Sequence, residues 1–412
     1  MIVYSAAFSC PAFLIAYFRI CIALVGPATV FGGSTIIYSV VFRSPTTSIG
    51  PLSVLYMLLL AIQYSIQPRV SKAFIDNRTN KKTVAMVEEI SKAAMATILF
   101  AASHSRPTIV QARSQISPLT FVNWVFESMK ETLKDWSFSS SVLVAGLPAV
   151  LYAVQGVLSY SAFQNLDSVT FNGLSQTKTL SAALCCYLVL GKGQSALQIL
   201  ALAMLLLSSL IFQGIIEINL LLNSKYRSSE KEEYSVKSIK SSETKEENRV
   251  NWFTLGVAPC LAASFLSGLS GALSQKGLQM TGSRGRDPFF YTVEVSLFSA
   301  LFLLLTFVPR KNNLKDLDAM DKGPGEVSEG PFAHWTWKTF IPVLIKAGGG
   351  VLTALVHKHA GSVVKGFSLM LGLVLAGFVQ SILDGKELSA NQIIGTLLVM
   401  LSGWLHLTNP AI

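Results

Sequence analysis

Lys178 stands in the middle of an uncharged apolar run, Ser168 to Leu190, within YAVQGVLSYSAFQNLDSVTFNGLSQTKTLSAALCCYLVL. Read as one helix at ~1.5 Å per residue, the run puts Lys178 roughly 16 Å from either end. A lysine near the edge of a membrane span snorkels to the interface. One at the centre cannot, and a charge there costs ~2.5–3.5 kcal/mol on insertion scales, so it faces a cavity or a partner. No acid lies within two turns on the same helix, so the anion comes from another helix or from a ligand. Asn172, Ser175, Gln176 and Thr179 fall within about 100° of helix arc, with Lys178 on the flank. Such a face either lines a cavity or hydrogen-bonds to neighbouring helices.

A second lysine, Lys365, lies near the start of a later apolar run, in GSVVKGFS. Its depth allows it to snorkel or to serve a site. Gly366 beside it lets a ligand approach the backbone. Two ammonium groups, each a compact donor of three hydrogens, suit a pyrophosphate. Glu294 is deep in FFYTVEVSLFSA and Lys346 deep in FIPVLIKAGGG. Either is the other's counter-ion, or Glu294 pairs with Lys178 while the site is empty and competes with an arriving phosphate. Glu88, Glu89 and Lys92 share one helix face and neutralise one another, in a structural or a transport role. Gly348, Gly349 and Gly350 allow close helix packing or bending. His357 and His359 sit at a span end and read as interfacial, without metal geometry, and Lys276, Arg284 and Arg286 read as interface anchors. Asp316-Leu317-Asp318 lies in a loop with no folded domain around it, and a solvated loop is the expectation. An enzyme requires paired carboxylates, a nucleophile or a metal cluster converging at one face. The sequence offers none, so no catalytic residue, metal or cofactor is expected.

The elements that position these residues are membrane helices. Of 412 residues, 51% are hydrophobic and 14% charged, and the mean hydropathy is +0.50. These values lie outside the soluble globular range. The net charge of +10 points to basic loops or a cavity attracting anions, and no nucleic-acid motif is present. The five cysteines lie in apolar segments without metal or disulfide spacing and read as small core residues. Residues 1–50 form a hydrophobic extension, either an extra span or a targeting segment. Spans are expected at about 53–74, 83–104, 141–164, 168–190 and 194–216, then at 253–279, 287–309, 336–358, 361–384 and 389–408. A short interfacial amphipathic helix is expected in FVNWVFESMKETLKDWSF. Residues 223–250, a Ser/Lys/Glu run without periodicity, read as a disordered loop dividing the first half, 51–222, from the second, 251–408.

The tails of the two halves resemble each other. LGKGQSALQILALAMLLLSSL from Leu190 and DGKELSANQIIGTLLVMLSGW from Asp384 match at Gly191/Gly385, Lys192/Lys386, Ser195/Ser389, Ala196/Ala390, Gln198/Gln392, Ile199/Ile393, Leu207/Leu401 and Ser208/Ser402. Each half holds five spans, an odd number, so the second copy enters the membrane from the opposite side. The fold expected is all-α, with ten transmembrane helices in two inverted five-helix repeats. That is the mark of many secondary transporters with a site near the midplane.

Several ordered motifs resemble the nucleotide-sugar transporter family of the drug/metabolite transporter superfamily, over about residues 53–408. They are Tyr152-Ala153-Val154-Gln155, Asn165-Leu166-Asp167, Gln176-Thr177-Lys178 with the following Thr179–Leu184, and Lys358–Phe367; Gly349-Gly350 and Val87–Lys92 also fit. The resemblance implies a Golgi or ER antiporter that exchanges a cytosolic pyrimidine nucleotide sugar, a UDP-sugar first, for lumenal nucleoside monophosphate. It turns Lys178 and Lys365 toward the phosphates and puts Gln155, Phe171, Asn172, Ser175, Gln176, Gly349 and Gly350 around the substrate. The chain departs from the family at Gln155-Gly156-Val157, at Phe171 and Ser175, and at Ser274-Gln275-Lys276, positions expected to read base and sugar. The resemblance also puts both ends of the ten-helix core in the cytosol. The basic loops 75–82, 217–251 and 310–335 then face the lumen, against the positive-inside rule, while the sequon at Asn77 fits that side. Competing readings are another small-metabolite carrier of the superfamily, a membrane-embedded transferase, and a non-transporting paralogue. The partners expected are the nucleotide pair and the bilayer, with a monomer and a homo-oligomer both open.

Overall fold

The computed structural model describes residues 50–76, 78–104, 130, 134, 136–166, 168–216, 252–280, 286–307, 332–384 and 388–409. The hydrophobic extension, the interfacial helix except for isolated positions, the loop 223–250, Asn77, Arg284 and the 316–318 motif lie outside them. The helices are α1 (Pro51–Phe74), α2 (Lys81–His104), α3 (Phe138–Asn165), α4 (Ser168–Ser175), α5 (Thr177–Leu190), α6 (Ala196–Phe212), α7 (Ala258–Gln279), α8 (Pro288–Phe307), α9 (Phe340–His359), α10 (Ser362–Asp384) and α11 (Ala390–Thr408). No strand occurs among the described residues. Among the described residues six stretches, in α3, α7, α8, α9, α10 and α11, are long and apolar enough to cross a membrane. Large side chains such as Leu184, Tyr187, Leu188, Leu197 and Leu200 remain exposed, which a lipid surround accommodates and water would penalise.

Local chemistry sets the helix ends. Gly191, at φ 69°, ends α5 and donates its N–H to the Tyr187 carbonyl. Ser195 and Gln198 form a capping box at the start of α6, and Ser389 and Gln392 form the same box at the start of α11. Each box satisfies two backbone donors that the helix cannot. Asp287 Oδ1 accepts the N–H groups of Phe289 and Phe290 and so caps α8.

The chain divides into two compact units, and each draws on both sequence halves. The unit made of 67–146 and 286–354 packs α2 against α8. Phe100 meets Phe290 at 5.8 Å, and Gly146 receives the ring of Phe298. Gln67 donates to the Pro342 carbonyl at 3.3 Å, which joins α1 to the start of α9. In the other unit, made of 44–66, 147–285 and 355–412, α7 packs on α3, α4, α5 and α10, while α6 pairs with α11. Helix α7 comes this close because its buried face carries Ala263, Ser264, Gly268, Ser270, Gly271 and Ala272. At Gly268 the approach is backbone to backbone: an added Cβ would lie 2.6 Å from Ala182 N and Ser181 C.

Candidate functional site

The expected single helix 168–190 is interrupted. Gln176 forms a turn between α4 and α5. Its N–H reaches back three residues to Gly173, and its carbonyl accepts from Thr179 N, both at 3.2 Å. Thr177 Oγ1 donates to the Leu174 carbonyl at 2.7 Å. Three-residue hydrogen bonds here tighten the chain in place of the four-residue ladder. Lys178 therefore stands in the first turn of a new segment rather than at the middle of a continuous rod. Lys365 likewise stands in the first turn of α10. That turn begins at Gly361, at φ 93°, where Gln275 Oε1 accepts the Ser362 N–H at 2.7 Å.

The two lysines belong together. A Cβ on Gly366 would lie 2.5 Å from Thr179 Cγ2, so α5 and α10 touch one residue from each lysine. The two ammonium groups thus stand on adjoining helix starts. Neither forms an ion pair among the described residues. The Lys365 ammonium sits 5.6 Å from the centre of the Tyr152 ring, within cation–π range. Lys178 also acts on Cys260 of α7, whose thiol is buried and lies 3.9 Å from the Phe171 carbonyl. Helix first turns carry unpaired N–H groups and the positive end of the dipole. Two such turns bearing ammonium groups make a receiver for an anion.

The other expected residues of this unit make the following contacts. Gln155 donates to Ser159 Oγ at 2.9 Å along its own helix. Phe171 packs edge-on against Phe163, at 5.3 Å between ring centres, beside Leu166 and Val257. Ser175 ends α4 and is half-buried, while the side chain of Asn172 lies outside the described ones. Gln275, expected to help read base or sugar, instead caps α10. It also accepts from the Cys186 thiol and donates to Gln279.

The charged candidates of the other unit are paired, Glu88, Glu89, Lys92, Glu294 and Lys346 among them, and two expectations need correction. Lys346 is not the partner of Glu294: it bonds Glu88 at 2.6 Å. Glu294 is bound by Arg286 at 2.9 Å and accepts from Ser141 Oγ at 2.7 Å and Trp136 Nε1 at 2.8 Å. It is 5% exposed and needs those donors, because a buried carboxylate is costly without them. Arg286 is therefore part of a buried network and not a free interface anchor. Glu89 and Lys92 pair at 2.8 Å, as their spacing suggests. Gly350 leaves room for the Lys92 chain, which a Cβ there would push aside. The Gly349 carbonyl accepts from Thr353.

Known proteins resemble the chain over these same residues. A family model for the nucleotide-sugar transporter matches residues 46–406. The chain belongs to the nucleotide-sugar transporter family. The UDP-N-acetylglucosamine transporter ROCK1 of Arabidopsis thaliana is 30% identical over 363 residues, which cover 87% of this chain and 93% of that one. A UDP-galactose transporter of Schizosaccharomyces pombe is 24% identical over 264 residues, 64% of each chain. The UDP-N-acetylglucosamine transporter of Homo sapiens is 25% identical over 237 residues, 58% of this chain and 62% of that one. A crystal structure at 12% identity shares the fold, with a TM-score of 0.51 and coverage of 86% of this chain and 96% of that one.

Within this nucleotide-sugar transporter chain, sequence reasoning missed Tyr152, Cys260 and the Thr179–Gly366 contact. Tyr152 had a signal, because it lies three residues before Gln155 and so shares its helix face. Cys260 and Thr179–Gly366 had none, because they meet lysines on helices remote in sequence.

Proposed function

We propose that the protein carries a pyrimidine nucleotide sugar, a UDP-sugar, across a Golgi or other endomembrane in exchange for lumenal nucleoside monophosphate. One observation carries the reading: α5 and α10 touch at Thr179 and Gly366, the residues next to Lys178 and Lys365, and no carboxylate answers either lysine among the described residues. Two like charges in a low-dielectric site repel strongly. A diphosphate relieves that repulsion, and an empty site restores it, so crossing empty is disfavoured and exchange favoured. Relatives named for UDP-N-acetylglucosamine and UDP-galactose support a uridine nucleotide.

The proposed mechanism is alternating access by ten spans in two inverted five-helix repeats, with α4 and α5 as one broken span. Several pairings support it. The second spans of the two halves pack together, α2 on α8, and so do the fifth, α6 on α11. The fourth span of each half meets the first span of the other: α5 packs on α7, and Gly372 of α10 packs on Ala61 and Tyr64 of α1. The matching capping boxes of α6 and α11 follow the same symmetry. Purified protein in vesicles loaded with UMP, CMP or GMP, offered labelled nucleotide sugars, tests the reading. Uptake of UDP-N-acetylglucosamine driven by internal UMP is expected. Uptake that ignores internal nucleotide rules the exchange out.

A further inference from the structure

His357, in the last turn of α9, is 2% exposed. Protein encloses it at this span end, whereas His359, two residues on, is exposed and lies 5.4 Å from the Tyr56 ring. The His357 Nε2 atom is buried and has no hydrogen-bond partner among the described residues. The turn that carries it is held firmly, because Gln279 Nε2 donates to the carbonyls of His357 at 2.9 Å and Lys358 at 3.1 Å. A buried polar nitrogen left without a partner is destabilising, which asks what completes it. No group of three metal-ligating side chains occurs among the described residues. Ala360 N and Gly361 N donate to the Val356 carbonyl at 2.8 and 2.9 Å, and Lys365 N donates to the Gly361 carbonyl at 3.2 Å, so one tight turn joins the last turn of α9, which carries His357, to the first turn of α10, which carries Lys365.

We propose that His357 is a third phosphate-contacting residue, whose Nε2–H donates to a phosphoryl oxygen of the nucleotide held by Lys365. The inference rests on the nucleotide reading of the site. A neutral imidazole supplies one directed donor without adding a third full charge to two ammonium groups. It fixes the orientation of a phosphate that the mobile lysines only attract. His357 lies one residue ahead of the Lys358–Phe367 motif, and the turn at Gly361 folds its helix turn back toward the one that carries Lys365.

The test compares the full-length wild type with His357→Leu and His357→Gln, reconstituted, with UMP and uridine as competitors of exchange. Uridine keeps base and ribose but lacks the phosphate. His357→Leu should weaken UMP by about tenfold, a loss of about 1.4 kcal/mol, and leave uridine unchanged. His357→Gln, whose amide keeps a donor near the Nε2 position, should stay within about twofold of wild type. Equal UMP affinity in wild type and His357→Leu overturns the proposal, as does equal weakening of UMP and uridine, the sign of a packing role. Should His357→Leu fail to insert, His357→Asn, which is too short to reach, takes its place, and the same two results overturn the proposal. A wild type that exchanges with no UMP overturns the nucleotide reading itself, a result distinct from either.

Discussion

Replacing Gly366 with alanine tests whether the contact of α5 with α10 sets the spacing of the two lysines. The new Cβ would lie 2.5 Å from Thr179 Cγ2, 2.7 Å from its Oγ1 and 3.2 Å from its Cβ. Carbon atoms rest about 3.5–4.0 Å apart, so the helices must separate by about 1 Å or Thr179 must leave its rotamer. Thr179 is buried and branched at Cβ, which resists the second course. Overpacking costs about 1–3 kcal/mol, and the better helix propensity of alanine returns up to about 1 kcal/mol. Stability should therefore fall modestly. Binding geometry should suffer more, because a displacement of about 1 Å can cost about a hundredfold where positioning matters. In UMP-loaded vesicles, Gly366→Ala should lose exchange by about ten- to a hundredfold while inserting normally. Adding Thr179→Ala removes both closest atoms and should restore most of it. Gly268→Ala is the control: its Cβ meets the backbone of Ser181 and Ala182, so no truncation there can rescue it. A Gly366→Ala protein with normal exchange, or a double variant no better than the single, would refute the reasoning.

Lys178→Ala should abolish exchange without preventing insertion, and retained uptake would move the site elsewhere. Glu294→Ala leaves the Arg286 guanidinium without its carboxylate and should destabilise by about 3–5 kcal/mol in thermal or denaturant unfolding. Glu294→Gln should cost less and leave the coupling of uptake to internal UMP unchanged; a leak in that variant would bring back the counter-ion role that its pairing with Arg286 argues against. Ser195→Ala and Ser389→Ala each remove one capping box and should each cost about 1 kcal/mol. A much larger loss at one site than at the other would count against equivalent roles for the two helices.

Much of this could be read along the chain because the cause was local. Apolar runs located the helices to within a few residues, and the matched pairs Ser195/Ser389 and Gln198/Gln392 fold into two identical caps. Glu89 and Lys92 lie three residues apart and pair as helical spacing requires. Lys178 declared itself by its composition alone: a charge in an apolar run must be answered by something. The identity of the answering group was not local. Glu294 found Arg286, and Lys346 found Glu88, through helix neighbours that no spacing along one helix reveals.

The sequence by itself determined that the chain is helical and apolar enough for a membrane, that its two tails share a motif, and that Lys178 is a charge set in an apolar run. Tertiary structure alone decided that the helix breaks at Gln176 and that Thr179 meets Gly366. It also placed Tyr152 under Lys365 and left the His357 Nε2 atom buried without a partner among the described residues. The physical reason is that hydrophobicity and capping act over a few residues of one chain. The field at an ammonium group is instead summed over every helix that surrounds it, whatever their separation in sequence.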